Sequence, residues 1–289
     1  MYIAEYISEF KKSKNPYYLV RAFSLLIQEG RLIESLWSFW CIIRYNPSKI
    51  VLGDDAIIQQ AKLLISQLNN DPFFLSRNNI IEKYKTNYLL KLPTDFNGAR
   101  TESIVETNGM IIIGEYATAS AKLIVATKNE CKTHLFYQKI KGVRHIHSVH
   151  QIGETAKLLI ATGDKKKIVD QWEIGLGTIT FEKRLSKRLS GYTTSIRVNN
   201  VDFFGTDFSS RPNYITTLDG EKYFFPLIAY KKFTEAFLNL NNRYILSINL
   251  GHKPIDEKIA ASIFDTKLRE FIYCDYVSIP NISQDDLSN

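Results

Sequence analysis

The pattern of hydrophobic and polar positions changes its period once along the chain, near residue 90. Before that point apolar residues recur every three or four positions, as in NPYYLVRAFSLLIQEG, which is the spacing of an amphipathic helix. Three more helices are predicted in the same region, in RLIESLWSFWCIIRYNP, DDAIIQQAKLLISQLNN and RNNIIEKYKTNYLL. From about residue 99 polar and apolar positions alternate, which indicates β-strands.

The strand-forming part contains a repeat that is marked by glycine. Four apolar runs each end in a glycine that we call a marker glycine: MIIIGEY, LLIATGD, DFFGTD and ILSINLGH, with Gly114, Gly163, Gly205 and Gly251. Successive marker glycines are 49, 42 and 46 residues apart. One strand-like run precedes each marker and two follow it, so each unit has four strands. Four such units at a period near 45 residues are typical of a β-propeller.

The change of period predicts a two-part α+β protein. An N-terminal α-helical cap is followed by an all-β propeller of about four to five four-stranded blades. The predicted boundaries are 1–92 for the helical part, 93–281 for the propeller and 282–289 for a polar tail. The blades are expected at 99–142, 143–191, 192–234 and 235–280. The ring closes at four blades, closes at five by recruiting residues 86–96, or stays open and leans on the helical cap.

Charge and cysteine content narrow the class of protein. The net charge of +7 favours an anionic partner, but the basic residues are scattered and form no one-sided stripe with aromatic residues, so nucleic acid is not expected. Three widely spaced cysteines argue against a disulfide framework and a zinc ribbon. The N-terminus does not resemble a signal peptide and no apolar run is long enough to span a membrane, which predicts a cytoplasmic protein.

Three of the five histidines lie within six residues, at the start of the stretch RHIHSVHQIGETAKLLIATGD. Alternation along a strand places His145 and His147 on one face, and His150 falls at the far end. With carboxylates from neighbouring blades, the two histidines can hold a divalent metal ion, although the pattern does not require one. With Tyr116 as a further base and Arg144 as the cation, they also suit the proton abstraction of a polysaccharide lyase.

Carboxylates follow the strand ends in three units. Glu115, Asp164 and Asp207 are therefore expected to converge near one end of the propeller axis. Two of them at a suitable separation would serve glycoside hydrolysis. The structural alternative is that these polar residues hydrogen-bond between blades and cap the turns after the glycines.

Five short motifs in this region resemble one known family. They are Gly114-Glu115-Tyr116, Arg144-His145-Ile146-His147, Thr162-Gly163-Asp164, Gly205-Thr206-Asp207 and Pro212-Asn213-Tyr214-Ile215. Their order and spacing over residues 108–220 resemble the sialidase-like propellers, also called BNR or Asp-box repeat proteins, which are encoded near bacterial polysaccharide genes. The turns of this chain do not reproduce the full Asp-box, and the sialidase arginine triad has no counterpart, so the resemblance does not imply sialidase activity.

The candidate site follows from these residue types and motifs. The candidate catalytic residues are His145, His147, Glu115 and Tyr116. The candidate ligand-binding residues are Arg144, Asp164, Asp207 and Asn213. The resemblance implies recognition of a carbohydrate or sugar-containing ligand in surface polysaccharide production. The alternative is a lyase or glycoside hydrolase acting on an acidic glycan.

A second resemblance lies in the helical part. The stretch from Ala22 to Ser35, followed by an Asn-Pro stop, resembles one tetratricopeptide-type helical hairpin. Single repeats of that kind do not bury a core, so a small helical cap packed on the propeller is the simpler expectation. If the aromatic residues Trp37, Phe39 and Trp40 are exposed, the helical part offers a surface for a protein partner, and the protein would then act as an interaction scaffold.

Overall fold

The computed structural model describes residues 55–67, 73–163, 166–185, 191–208, 212–226, 228–230, 232–251 and 259–277. The hairpin resembling a tetratricopeptide repeat, the cluster of aromatic residues at 37–40 and the tail 282–289 lie outside these ranges. The description starts with helix α1 (Asp55–Gln67), strand β1 (Phe74–Ser76), helix α2 (Arg77–Tyr84) and strand β2 (Gly98–Arg100). The two helices fall where the helical spacing of the sequence predicts them.

Four four-stranded antiparallel sheets follow, and each is one blade. Blade 1 has β3 (Ile104–Thr107), β4 (Met110–Gly114), β5 (Leu123–Ala126) and β6 (Cys131–His134). Blade 2 has β7 (Ile146–Gln151), β8 (Lys157–Thr162), β9 (Val169–Ile174) and β10 (Ile179–Arg184). Blade 3 has β11 (Tyr192–Val198), β12 (Val201–Thr206), β13 (Tyr214–Thr217) and β14 (Lys222–Phe224). Blade 4 has β15 (Phe233–Leu240), β16 (Tyr244–Leu250), β17 (Ile259–Asp265) and β18 (Glu270–Val277).

The strands of each blade run in sequence order from the axis outward, and the first strands of successive blades contact one another. This is the arrangement of a β-propeller. Strand positions agree with the predicted repeat, and residues 86–96 form no strand. All four hairpins that follow the inner strands contain residues with positive φ, namely Asn108-Gly109, Gly153, Asn199-Asn200 and Asn241-Asn242. Asparagine and glycine tolerate this backbone conformation, which tight hairpins require.

The second strand of each blade is buried on both faces, which explains its continuous apolar run. In β8, Leu158 and Ile160 pack against blade 1, whereas Leu159 and Ala161 pack against blade 3. In β12, Phe203 faces blade 4 and Phe204 faces blade 2. Blades 1 to 4 therefore share three hydrophobic interfaces.

Among the described residues no fourth interface of this kind joins blades 4 and 1, and the two remaining blade faces are covered by segments that precede the propeller. Helix α1 packs its apolar face on blade 4 through Ile58, Ala61 and Ile65. Helix α2, the β1–β2 pair and the loop between them cover blade 1, with Ile80 fully buried. Of the three modes of closure that the sequence leaves open, the described residues match the open ring that leans on helices.

The predicted boundary between residues 92 and 93 falls inside this covering unit. Strand β1 lies in the part that the sequence predicts as helical, yet it pairs with β2 across the boundary. Its three residues, FLS, are too few to show an alternating pattern, so only the partner strand defines them as β-structure. The segment 73–100 therefore packs as part of blade 1.

The marker glycines let neighbouring blades approach closely. A Cβ atom on Gly114 would lie 2.3 Å from Cγ2 of Ile146 in the next blade, and one on Gly205 would lie 2.6 Å from Cβ of Thr234. On Gly163 it would lie 1.9 Å from the ring of His147. These three glycines thus mark positions where a strand end meets the inner strand of its own or the next blade, and a Cβ atom there would collide with a neighbouring side chain.

Replacing Gly114 with alanine is expected to destabilise the protein by about 1–3 kcal/mol, because the methyl group overpacks the interface between blades 1 and 2. Gly175→Ala is the matched control, since that glycine is in an exposed turn and its nearest neighbour is the movable hydroxyl of Thr178. Urea denaturation of both variants measures the difference. Equal stabilities would contradict the packing role of the marker glycine.

Candidate functional site

The inner strands of blades 2, 3 and 4 carry the same irregularity at the same place. A β-bulge interrupts the pairing of each strand near its first residues, and the bulged residues are His147, Thr193 and Glu235. Bulges of this kind redirect a side chain and are common at the rims of barrels and beside functional sites. Three blades therefore present an irregular polar residue at one end of the axis, which we call the upper end.

Arg100, the last residue of β2 and thus just before blade 1, pairs with the bulged residue of blade 4. Its Nη2 atom lies 2.7 Å from Oε1 of Glu235 and donates to the carbonyl oxygen of the same residue at 3.0 Å. Both side chains are at least nine-tenths buried, and the pair joins blade 1 to blade 4 where the ring is open. The second carboxylate oxygen of Glu235 has no hydrogen-bond partner among the described residues.

A cavity of about 390 Å³ lies along the axis beside this ion pair. All four blades contribute to its wall. Its apolar lining comes from Phe73, Ile104, Val105, Val149, Phe237 and Leu238. Its polar lining comes from Thr101, Glu102, His150 and Ser195. We call it the axial cavity.

The carboxyl group of Glu102 is the most perturbed acid in the cavity. Burial raises its pKa to about 7, and the raising effect of Glu235 adds to this. Thr194, Arg100 and the backbone at Ser195 act in the opposite direction. A carboxyl group that is half ionised near neutral pH, in a cavity, is a recognised mark of a functional site.

His150 lines the same cavity and is held by a carboxylate from the next blade. Its Nε2 atom lies 2.9 Å from Oδ1 of Asp202, whose other oxygen accepts from Arg197 at 3.4 Å. The interaction fixes the orientation of the imidazole ring. It also connects blades 2 and 3 at the wall of the cavity.

The other two histidines of the RHIH motif form an aromatic stack above the cavity. The rings of Tyr116 and His145 are 3.7 Å apart at 23°, and that of His147 lies 5.8 Å from Tyr116 at 16°. Tyr116 also bridges to His145 through an isolated β-contact. Tyr116 contributes to the raised pKa of Arg100, so the stack lies close to the ion pair.

Glu115, by contrast, is fully buried in a loop of blade 1. Its carboxylate accepts from the backbone amides of Asn97 at 3.1 Å and Lys122 at 2.9 Å, and Lys122 Nζ lies 3.3 Å away. Burial raises its pKa, against the effect of these donors. Its oxygens thus bind the loop that follows β4, an arrangement that suits the structural alternative better than a reacting group.

The remaining predicted residues have different surroundings. Asp207 forms an ion pair with Lys167 at 2.8 Å and raises the pKa of Glu235, so it belongs to the edge of the axial cluster. Asn213 accepts from the backbone amide of Phe208 at 2.7 Å and donates to the carbonyl oxygen of Phe208 at 3.0 Å, so it closes a loop in blade 3. Arg144 is half-buried next to the stack, and Asp164 lies outside the described residues.

The structure therefore brings Tyr116, His145, His147 and Asp207 to the upper end of the axis. Of these, the repeat predicts this end for Asp207, and strand alternation predicts a shared face for the two histidines. The residues that the sequence reasoning missed are Arg100, Glu102, Asp202 and Glu235. A signal for Glu235 exists, since it is a lone acid in the strand FTEAFLNL at the repeat position of His147. Arg100 and Glu102 precede the first blade and have no such signal.

In the described part of the chain, no three His, Cys, Asp or Glu side chains lie close enough together to hold a metal ion.

A second cleft, of about 600 Å³, opens between blades 3 and 4 at the lower ends of the strands. Two of its lining arginines are held in ion pairs, Arg269 with Glu221 and Arg243 with Asp265. The axial cavity, which all four blades line and which contains the perturbed acid Glu102, is the better candidate site.

Comparison with known proteins finds similarity to solved structures only. No protein-family model and no curated protein matches the chain. Among solved structures, two computationally designed proteins, Ika8 and Ika4, each share 11% identity at a TM-score of 0.34 and cover 60% and 66% of this chain. The WD40 domain of Toxoplasma gondii coronin shares 12% identity at a TM-score of 0.35 over 67% of this chain. The matched regions span 60%, 96% and 63% of the Ika8, Ika4 and coronin chains.

The resemblance to sialidase-like propellers stays a prediction, since nothing in these comparisons tests it. Among the described residues, neither helix has the length and apolar character needed to cross a membrane.

The raised pKa of Glu102 makes folding stability depend on pH. The folded protein holds a proton on this group up to about pH 7, whereas the unfolded chain releases it near pH 4.5. The contribution of the group to stability is therefore greatest below pH 4.5 and is lost as the pH rises to 7. Glu102→Gln should be more stable than the parent at pH 8, by on the order of 1–3 kcal/mol, and similar to it at pH 4.5.

Denaturant titrations at both pH values measure this effect. Glu154→Gln, in the exposed turn after β7, is the control and should follow the parent. An unchanged pH dependence in Glu102→Gln would show that this carboxyl titrates normally.

Breaking the ion pair across the ring opening should cost more than breaking a surface pair. Arg100→Met leaves a buried Glu235 carboxylate without its cation, and we expect a loss of about 3–5 kcal/mol. Arg269→Met removes an exposed pair with Glu221 and should cost at most about 1 kcal/mol. Thermal and urea denaturation distinguish the two, and a double variant Arg100→Met/Glu235→Leu should recover part of the loss. Similar small losses for both arginines would refute this role of the pair.

Proposed function

We propose that this protein recognises a carbohydrate or a sugar-containing ligand, and that the axial cavity is its binding site. The observation that carries the proposal is the cavity itself, which all four blades line and which combines an apolar wall with Glu102, His150 and two hydroxyl residues. A volume of about 390 Å³ lies within the range of small-molecule sites, which is roughly 300–1,000 Å³.

The chemistry of the wall matches the two sides of a sugar ring. A pyranose has an apolar face of C–H groups and a rim of hydroxyl groups. The apolar side chains of β3 and β15 suit the face, and the carboxyl, imidazole and hydroxyl groups suit the rim. The polar groups lie on or directly before strands of different blades, so their positions are set by the fold before any ligand binds.

A second candidate function is glycoside hydrolysis, which one observation favours. A general acid in such enzymes is a carboxyl group whose pKa is raised, as burial raises that of Glu102. Glu235 is the nearest acid in electrostatic terms. The sequence suggests Glu115 and Asp207 for this role. Glu115 instead accepts hydrogen bonds from its own loop, and Asp207 forms an ion pair with Lys167.

Saturation-transfer NMR with a panel of monosaccharides tests the proposal. We expect at least one pyranose to receive saturation from the protein, and Glu102→Gln to weaken its binding about tenfold or more, since a hydrogen bond to a charged group contributes about 1.5–3 kcal/mol. The Glu154→Gln variant should bind as the parent does. Failure of every sugar to bind would contradict the proposal, and the appearance of hydrolysed product from a matching disaccharide would favour the enzyme.

A further inference from the structure

Two acids, Glu102 in the wall of the axial cavity and Glu235 next to it, share the charge of one cation, Arg100. The guanidinium of Arg100 is directed at Glu235, through both the carboxylate and the carbonyl oxygen. No lysine or arginine in the described part of the chain forms an ion pair with Glu102. One oxygen of Glu235, a residue that is 2% exposed, also has no partner there.

An anionic ligand does not suit this charge balance. A carboxylate brought beside Glu102 would face a second acid in a poorly solvated cavity, and like charges at close range disfavour each other strongly. The protein as a whole carries a net charge of +7, which by itself favours an acidic glycan. Charges next to the ligand outweigh distant surface charges because salt screens the latter over about 10 Å.

The ligand group that suits such a site is a compact cation with several N–H donors. An ammonium group has three donors and no acceptor. The cavity wall supplies the acceptors, namely the Glu102 carboxylate and the hydroxyl groups of Thr101 and Ser195. Arg100 makes its ion pair and hydrogen bond to Glu235 and acts on Glu102 through its charge, while Thr194 and the backbone at Ser195 donate hydrogen bonds to the Glu102 carboxylate.

We infer that the axial cavity selects an amino sugar, a pyranose with a protonated primary amine, and that the ammonium group binds at Glu102. This inference rests on the proposed function, which it narrows from sugars in general to one charge class. It replaces the acidic glycan, which the net charge of the sequence favours, with a cationic ligand.

Binding of such a ligand is linked to protons. The charged groups around Glu102 are Arg100 and Glu235, and the other titratable group of the wall is His150, which is held by Asp202. An ammonium requires the ionised carboxylate, so affinity should rise as the pH passes from 5.5 to 7.0. With the pKa of Glu102 at about 7, its ionised fraction increases by about tenfold over this interval.

Isothermal titration calorimetry with glucosamine, glucose and glucuronate tests the inference. At pH 7.0 we expect glucosamine to bind at least tenfold more tightly than glucose, and glucuronate more weakly than either. The affinity for glucosamine should fall about tenfold at pH 5.5. Glu102→Gln should lose both the preference for the amine and the pH dependence, while Glu154→Gln keeps them.

The possible results separate the inference from the proposed function. If glucose binds as tightly as glucosamine in the parent protein, the inference is overturned and the sugar site stands. If cyclohexylamine binds in a manner that depends on Glu102 and no sugar does, the amine site stands and the carbohydrate function is overturned. If none of the four compounds binds, both are overturned. Denaturation curves of Glu102→Gln recorded in parallel ensure that its result reports on binding and not on folding.

Discussion

The architecture depends on one constraint, which is that every blade must bury both faces of its sheet. The second strands are apolar on both sides, so a blade left with an open face would expose a row of isoleucines and leucines to water. Blades 2 and 3 meet the constraint through their neighbours. Blades 1 and 4 meet it only in part, and α1, α2 and the β1–β2 pair complete the burial.

The open ring gives the axis its chemical character. With helices between the faces of blades 1 and 4, the two blades approach each other at the axis through Arg100 and Glu235 instead of through a packed interface. The same opening brings Glu102, which lies before the first inner strand, into the axial cavity. A buried ion pair next to a carboxyl group with a pKa of about 7 is costly to maintain, and sites with such costs are frequently functional.

Particular residues show how far sequence patterns extend toward the site. The marker glycines predict the repeat because Gly114 and Gly205 each meet an inner strand too closely for a side chain, so the pattern has a direct steric cause. Strand alternation predicts that His145 and His147 share a face, and the structure stacks Tyr116 on both of them. The sequence pattern does not distinguish these stacked residues from Glu115, which belongs to the same motif as Tyr116. The carboxylate of Glu115 instead accepts hydrogen bonds from buried backbone amides, which need an acceptor.

The sequence by itself determined the four blades, their strand positions and the two described helices, because alternation and helical spacing report which side of an element is buried. Tertiary structure alone decided how the ring ends, which acids reach the axis and which partners they meet. Arg100 and Glu235 are 135 residues apart, and His150 and Asp202 are 52 apart. Local patterns do not encode such pairs, because the geometry that joins them arises only when separate blades pack around a common axis.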